Sequence, residues 1–418
     1  MSSSTLFGIS TMAYMLAMMI YITYLAFRKS QIGIAATTVT IAGFVSQTIA
    51  IVIRWTESYA QWVTLAPEST YIISVVRSAP LRNLFESLIF FVWCLILGYL
   101  IIEFKFKNRS FGAFVTPIAG LALGFIELSG MSKEIEPLVP ALQSNWLLAH
   151  VMMSFIAYAA FALSFSTGLM YLALKTDRRT EPSYVFWTVT SGIFIIVLLA
   201  MGLDFVKIKV PMYKELKAVE QAVEEYRVHY GKPPMHTAEI KNMISEDIDL
   251  QNFDLNPRSG KVEISLKSYL FKASFLNKSR AVSIFSWLTA LIFIFLIWGY
   301  GYVLKKIISS LSISPEALDE ITYKSIAIGF PIFTLGGLIF GAIWADQAWG
   351  TYWGWDPKET WSLITWFVYA FFLHSRLLRG WRGKKVAIVA VIGFVAVIFT
   401  YLGVNLLLSG LHAYGSLE

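Results

Sequence analysis

The residues best suited to chemistry lie between Trp344 and His374, in WADQAWGTYWGWDPKETWSLITWFVYAFFLH. A glycine-spaced loop carries Trp349, Tyr352, Trp353 and Trp355; Asp356-Pro357-Lys358-Glu359 follows, and an apolar run then leads to the histidine. Rings this dense form a flat apolar surface suited to a planar conjugated ligand, and histidine is a common axial ligand of haem iron. The same residues have a plainer reading. Trp and Tyr gather at membrane interfaces, and Asp356, Pro357 and Glu359 also spell an N-cap, a first-turn proline and a capping-box acid.

The elements that must position these residues are membrane helices. With 418 residues, 56% of them hydrophobic, 31 Phe, 14 Trp and a mean hydropathy of +0.62, the composition excludes an ordinary soluble fold. The one cysteine, Cys94, sits in an apolar run, which excludes an internal disulfide, a CxxC redox pair and a Cys-rich zinc site. The net charge of +7 is carried in short clusters at the ends of apolar runs, a pattern of topology and not of a nucleic-acid face. The first apolar run has no basic leader and ends in Arg28-Lys29, so it reads as a spanning helix that starts outside, not as a cleaved signal.

A spanning helix needs about 20 apolar residues. Ten runs qualify: 5–27, 33–53, 83–104, 111–130, 147–174, 183–204, 281–304, 325–345, 360–378 and 386–408. The expected fold is therefore an all-α polytopic membrane protein of about ten transmembrane helices, with a small soluble α(+β) insert. Alternating these helices puts 16 of the 21 Lys and Arg outside residues 205–280 on one side, leaving Arg54, Arg77, Arg82, Lys133 and Lys358 opposite. The positive-inside rule makes the larger set cytoplasmic, so the Trp loop, the insert and both termini face out. Residues 205–280 hold 23 charges in 76 residues. They read as an amphipathic helix from Lys214 to Tyr230, a Gly231-Lys232-Pro233-Pro234 turn, a second short helix and a strand pair around Asn256–Lys267. The expected division is a membrane core over 1–180, an extra spanning helix over 181–204, the insert over 205–280, another extra helix over 281–306, and a core over 307–418 that carries the Trp loop.

Topology sorts the five histidines. His150 and His412 fall at outer helix ends on the face of the Trp loop, where each alone would serve as a hydrogen-bonded interfacial residue. Together they could supply both axial positions of an iron above an aromatic floor. His374 lies 14 residues beyond Thr360, roughly 21 Å along the helix, in the cytoplasmic half of the membrane. An ionisable group there points to function, and because no second histidine lies at its depth, that site is either five-coordinate or completed by a partner subunit. His229 and His236, in the insert, read as solvated surface. Haem propionates favour arginine forks. Arg54, Arg77 and Arg82 lie outside near helix ends and Lys358 adjoins the Trp loop, although each could also snorkel at the interface.

With these residues in view, the chain resembles the CcsA (ResC) family of system II cytochrome c biogenesis, within the haem-handling proteins that share a tryptophan-rich WWD motif. The resemblance rests on GAIWADQAWGTYWGWDPKETWSLITWFVYAFFLH continuing to FTYLGVNLLLSGLHAYG, with LQSNWLLAHV and RSAPLRNLFESLIFFVW in support, and covers residues 1–175 and 314–418. Residues 181–310 stand outside the pattern, and Tyr352 occupies a place where a further Trp is common.

The resemblance implies that the loop from Trp349 to Asp356 holds haem b at the outer face, with His150 and His412 as axial ligands. It also implies that His374 takes haem from the cytoplasmic side beside a histidine of a CcsB (ResB) subunit. Such a complex would present haem to the CxxCH motif of an exported apocytochrome c, as part of a cytochrome c haem lyase in the cytoplasmic membrane of a bacterium. No acid-base catalyst is evident beyond these haem-positioning residues, so the reactive groups would be those of haem and substrate. Two alternatives stay open: a haem exporter without ligation activity, and a membrane b-type cytochrome that transfers electrons.

Overall fold

The computed structural model describes residues 2–65, 70–81, 83–129, 144–204, 210–244, 253–255, 262–264 and 313–404, with a few isolated positions between them. The expected span at 281–304, the end of the tenth beyond residue 404, Arg82 and His412 lie outside the described residues.

The chain starts with a helical hairpin, α1 (Ser3–Phe27) and α2 (Ser30–Leu65). Ser2 caps the first helix by accepting from the Thr5 amide, and Arg28, in the left-handed region at φ 56°, ends it. Tyr14 donates to Gln47 at 2.7 Å, and Gln47 Nε2 donates to the Ile89 carbonyl at 2.8 Å, so one polar chain joins α1, α2 and α4 (Leu84–Phe106). At 36 residues, or roughly 54 Å, α2 runs twelve residues past its expected end at residue 53. Polar residues ended the hydropathy run there, but tertiary contacts keep the helix going. Arg54 pairs with Glu86 at 2.8 Å with both side chains buried, and Trp55 Nε1 donates to the Val75 carbonyl of α3 (Tyr71–Arg77) at 2.8 Å.

At the far end of this hairpin a buried carboxylate is fully surrounded. Glu103 accepts from Thr37 at 2.6 Å, from Tyr21 at 3.1 Å and from Tyr99, and Arg109 Nε lies 3.7 Å away. A charge removed from water is tolerated only with such compensation.

The central element is α6 (Asn145–Lys175), which packs against α4, α5 (Gly112–Ser129), α7 (Pro182–Asp204), α9 (Pro315–Phe333) and α12 (Lys384–Ile398). Its buried face is rich in Ala, Ser, Thr and Gly, small residues that let apolar helices approach closely. Pro331 interrupts the hydrogen-bond ladder of α9. The chain then widens into a π turn over Thr334–Phe340 before resuming as α10 (Gly341–Trp349). A second π turn, Phe399–Gly403, follows α12. The remaining core helix, α11 (Pro357–Leu378), lies between the two turns in sequence and touches both.

Ten spans were expected; among the described residues six stretches are long and apolar enough to cross a membrane, namely Ser3–Phe27, Ser30–Thr64, Phe85–Phe106, Asn145–Lys175, Pro315–Trp349 and Lys384–Gly403. The runs at α5, α7 and α11 are helical where expected but are not among the six. In the insert, α8 (Val210–Tyr230) ends at Gly231 with φ 69°, and a 3₁₀ turn covers Thr237–Met243. Phe253–Leu255 pairs antiparallel with Val262–Ile264, so the first strand starts three residues before its expected place. Val219, Ala222, Val223, Ile240, Phe253 and Val262 form a small core of their own.

Candidate functional site

The Trp loop is pinned at both ends. Gly350, at φ 75°, closes α10 by donating to the Asp346 carbonyl, a left-handed position that glycine takes at no steric cost. At the other end Asp356 accepts from the Lys358 amide at 3.0 Å, and Glu359 returns the bond to Asp356 N–H at 3.2 Å. The plainer sequence reading, a capping box, is thus present, and the platform is built on top of it. Glu359 Oε2 also accepts from Gly354 N–H at 2.8 Å. One carboxylate therefore grips the backbone on both sides of Trp355, which is held at φ 57°, a conformation costly for a bulky residue. The result is display: Trp355 is 69% exposed and Tyr352 61% exposed. Trp353 meets Trp355 edge to face at 5.9 Å, and its Nε1 is buried with no hydrogen-bond partner among the described residues.

Behind the loop stands His150, half-buried in the second turn of α6. Its Nδ1 lies 2.8 Å from the Gly336 carbonyl oxygen in the π turn. A carbonyl only accepts, so Nδ1 donates here, the kind of second contact that metal-binding histidines use. The ring is near parallel to Trp344, 6.4 Å away at 17°, and Trp344 meets Trp349 of the loop at 4.8 Å. Two glycines permit this approach. A Cβ on Gly336 would collide with Met153 of α6, and one on Gly341 would come within 2.9 Å of His150 Nδ1. Ser144, the cap of α6, donates to Gln347 of α10 at 2.9 Å and fixes the same junction.

The floor continues to the second π turn. Tyr401 packs edge to face on Phe155 at 5.0 Å, and its hydroxyl is bonded to Ser87. Lys358 Nζ lies 5.8 Å from the centre of the Tyr401 ring. Lys358 precedes the expected span at 360–378; burial lowers its ammonium to about 8, with nearby Asp356 pulling the other way. Ser87 follows Glu86, whose carboxylate takes the Arg54 Nε at 2.8 Å. Arg77 ends α3, half-buried.

His374 stands apart. It is exposed on α11, on a stripe with Ile364, Phe367, Phe371 and Leu378, while Thr365, Tyr369, Phe372 and Ser375 face inward. Arg376 fixes this orientation through Asp319 at 2.6 Å and the Tyr323 ring at 5.0 Å.

Of the residues selected from sequence, the fold thus joins His150 to Trp349 through Trp344, and joins Trp353, Trp355 and Asp356 in one clamped loop. It leaves His374 on a separate face. Sequence reasoning missed Gly336, Gly341, Trp344 and Tyr401 as parts of the site. The signal for the first three was the run GGLIFGAIW, where glycines five apart in an apolar helix mark a close approach.

Helices of this length around a clamped aromatic loop, with a histidine set behind it, define the class as a multi-pass helical membrane protein. Comparison with known proteins makes it specific. The model of the cytochrome c assembly protein family matches residues 81–227 and 281–412. The cytochrome c biogenesis protein CcsA of Microcystis aeruginosa is 35% identical over 338 residues, 80% of this chain and 79% of the relative. CcsA of Gloeobacter violaceus is 33% identical over 341 residues (81% and 79%), and CcsA of Heterosigma akashiwo 34% over 342 (81% and 77%). The chain belongs to the CcsA family of cytochrome c biogenesis proteins. The family match runs on through residue 227 and resumes at 281, so the segment between its two parts is 228–280, narrower than the 181–310 expected from resemblance.

Proposed function

We propose that this chain receives haem b at His374 on the cytoplasmic side and presents it at the outer-face Trp loop, the WWD motif, between His150 and His412. There it supports thioether attachment to the CxxCH of an exported apocytochrome c. The observation that carries this reading is the His150 Nδ1 contact with Gly336 O, which orients Nε2 as a ligand beside an aromatic surface. The buried Nε1 of Trp353 and the displayed rings of Tyr352 and Trp355 fit a large planar guest with polar edges. When bound, haem supplies the vinyl groups to which the two cysteine thiols add. The chain's own task is orientation, which turns a bimolecular encounter into a positioned one.

The exposure of His374 on an apolar stripe suits a ligand shared with a second membrane subunit, and we assign that role to a CcsB/ResB-like partner of system II in the bacterial cytoplasmic membrane. The propionates are assigned to Arg54, Arg77 and Arg82, with Arg54 contributing as part of its ion pair with Glu86.

The test is a visible spectrum with pyridine haemochrome assay on the purified chain, with and without the co-expressed partner. Wild type should show six-coordinate b-type bands that weaken in His150→Ala and in His412→Ala. A folded protein free of haem under both conditions would remove the axial-ligand assignment.

A further inference from the structure

The end of α11 away from the Trp loop carries a second aromatic corner, beside His374. Phe371 lies one turn before His374 on the same exposed stripe and is 50% exposed. Beyond α11 the chain doubles back: Gly380 takes φ 63°, and the Trp381 amide donates to the Ser375 carbonyl at 3.1 Å. That return sets the Trp381 ring edge to face against Phe371, with centroids 5.9 Å apart and planes at 88°. Asp319 holds the return from behind, since its carboxylate takes both Arg376, at 2.6 Å, and the Gly383 amide, at 3.3 Å. Lys385, exposed in the first turn of α12, places Nζ 5.2 Å from the centre of the Trp381 ring. An imidazole, two perpendicular rings and a cation thus follow one another toward the polar end of an apolar face.

We propose that Trp381 and Lys385 complete a porphyrin seat at His374: the Trp381 ring walls one edge of the macrocycle and Lys385 takes one of its carboxylates, so haem enters with its carboxylates toward the cytoplasm. The claim rests on the reading of His374 as the entry ligand and adds two positioning residues to it. The arginines assigned to the propionates at the outer face serve the other site, because His374 lies 14 residues beyond Thr360, roughly 21 Å along α11. A carboxylate left within the apolar span is costly. Leu378, where α11 ends, is four residues past His374, or about 6 Å, so a porphyrin with its iron at His374 reaches the polar end of the stripe with the edge that bears its carboxylates. An interfacial belt accounts for a Trp and a Lys at this depth, but it does not require Trp381 to be folded back onto the histidine's own stripe.

The experiment separates the carboxylates from the rest of the porphyrin. The full-length chain carrying His150→Ala and His412→Ala, so that only the His374 site reports, is titrated by Soret absorbance with haem and with haem dimethyl ester. This parent should prefer the free acid by about tenfold. Lys385→Met should lose about tenfold for haem and nothing for the ester, and Lys385→Arg should keep the preference. Trp381→Leu should weaken both forms alike, by about fivefold, and Trp381→Phe should restore most of that loss. Equal affinity of the parent for acid and ester overturns the role of Lys385 without recourse to a variant. So does a Lys385→Met protein that binds the acid as tightly as the parent, or one that loses both forms equally. A Trp381→Leu protein with unchanged affinity for both forms overturns the wall. Adding His374→Ala to the parent tests the underlying reading: binding that survives it, or a parent that binds neither form, removes the haem site at His374 and the proposal with it, which distinguishes the two failures.

Discussion

Two polar centres are built into this helical core, and they are built on opposite plans. At Glu103 one carboxylate is surrounded by three hydroxyl donors and a nearby guanidinium, all supplied by α1, α2, α4 and the residues just after α4. At the Trp loop the polar groups are held but not saturated. Trp353 Nε1 is buried with no hydrogen-bond partner among the described residues, and Trp355 is held in a strained backbone. A polar group kept for structure within an apolar core is satisfied locally. A centre that retains deficits, with its rings on the surface, is arranged for something that arrives from elsewhere.

That contrast breaks most sharply on His150. His150→Ala should weaken haem binding about 100-fold or more, as loss of an oriented ligand does, and free imidazole should restore part of the spectrum. Glu103→Leu should leave the haem spectrum unchanged. A Glu103 variant that loses haem while still folded would show that the two centres are not independent.

Gly336→Ala comes next. Its methyl group must displace Met153 of α6, so the π turn shifts and its carbonyl no longer meets His150. The expected cost is about 1–3 kcal/mol in stability together with a tenfold or greater loss of haem affinity, read as melting temperature and Soret titration on one preparation. Stability lost without any change in affinity would mean that Gly336 serves packing alone. Glu103→Leu follows, with an effect confined to the fold. It removes the acceptor that Tyr21, Tyr99 and Thr37 share, leaving them bonded to one another and to the Gly33 carbonyl, and should cost about 2 kcal/mol.

The helices of this chain were largely legible, because apolar runs of spanning length leave few alternatives. Their ends were less so. Arg54, Glu57 and Ser58 stopped the hydropathy run of α2 at residue 53, and only the buried pair with Glu86 and the Trp55 contact explain why the helix continues to Leu65. The loop was legible as a dense aromatic segment with a capping box, since both are written in adjacent residues. What sequence could not supply was the Nδ1 contact of His150. It depends on Gly336, a residue 186 positions away, presenting its carbonyl from a π turn. The exposure of His374 was equally hidden, since hydropathy gives depth along a helix but not the face.

The smallest expected effect tests whether the display of Trp355 is held against a cost. Its left-handed backbone is imposed by Glu359, which ties down Gly354 and Asp356 on either side, while the ring itself is 69% exposed and contributes little burial. Asparagine tolerates this conformation better than tryptophan. Trp355→Asn should therefore raise stability by about 0.5 kcal/mol and lower haem affinity several-fold, two changes of opposite sign from one substitution. A fall in stability would mean that the ring is held by packing and that no strain is stored at φ 57°. A rise with unchanged affinity would mean that the strained residue faces lipid headgroups and not a ligand. Only the combination of higher stability and weaker binding fits a loop whose local geometry is set by the needs of its guest.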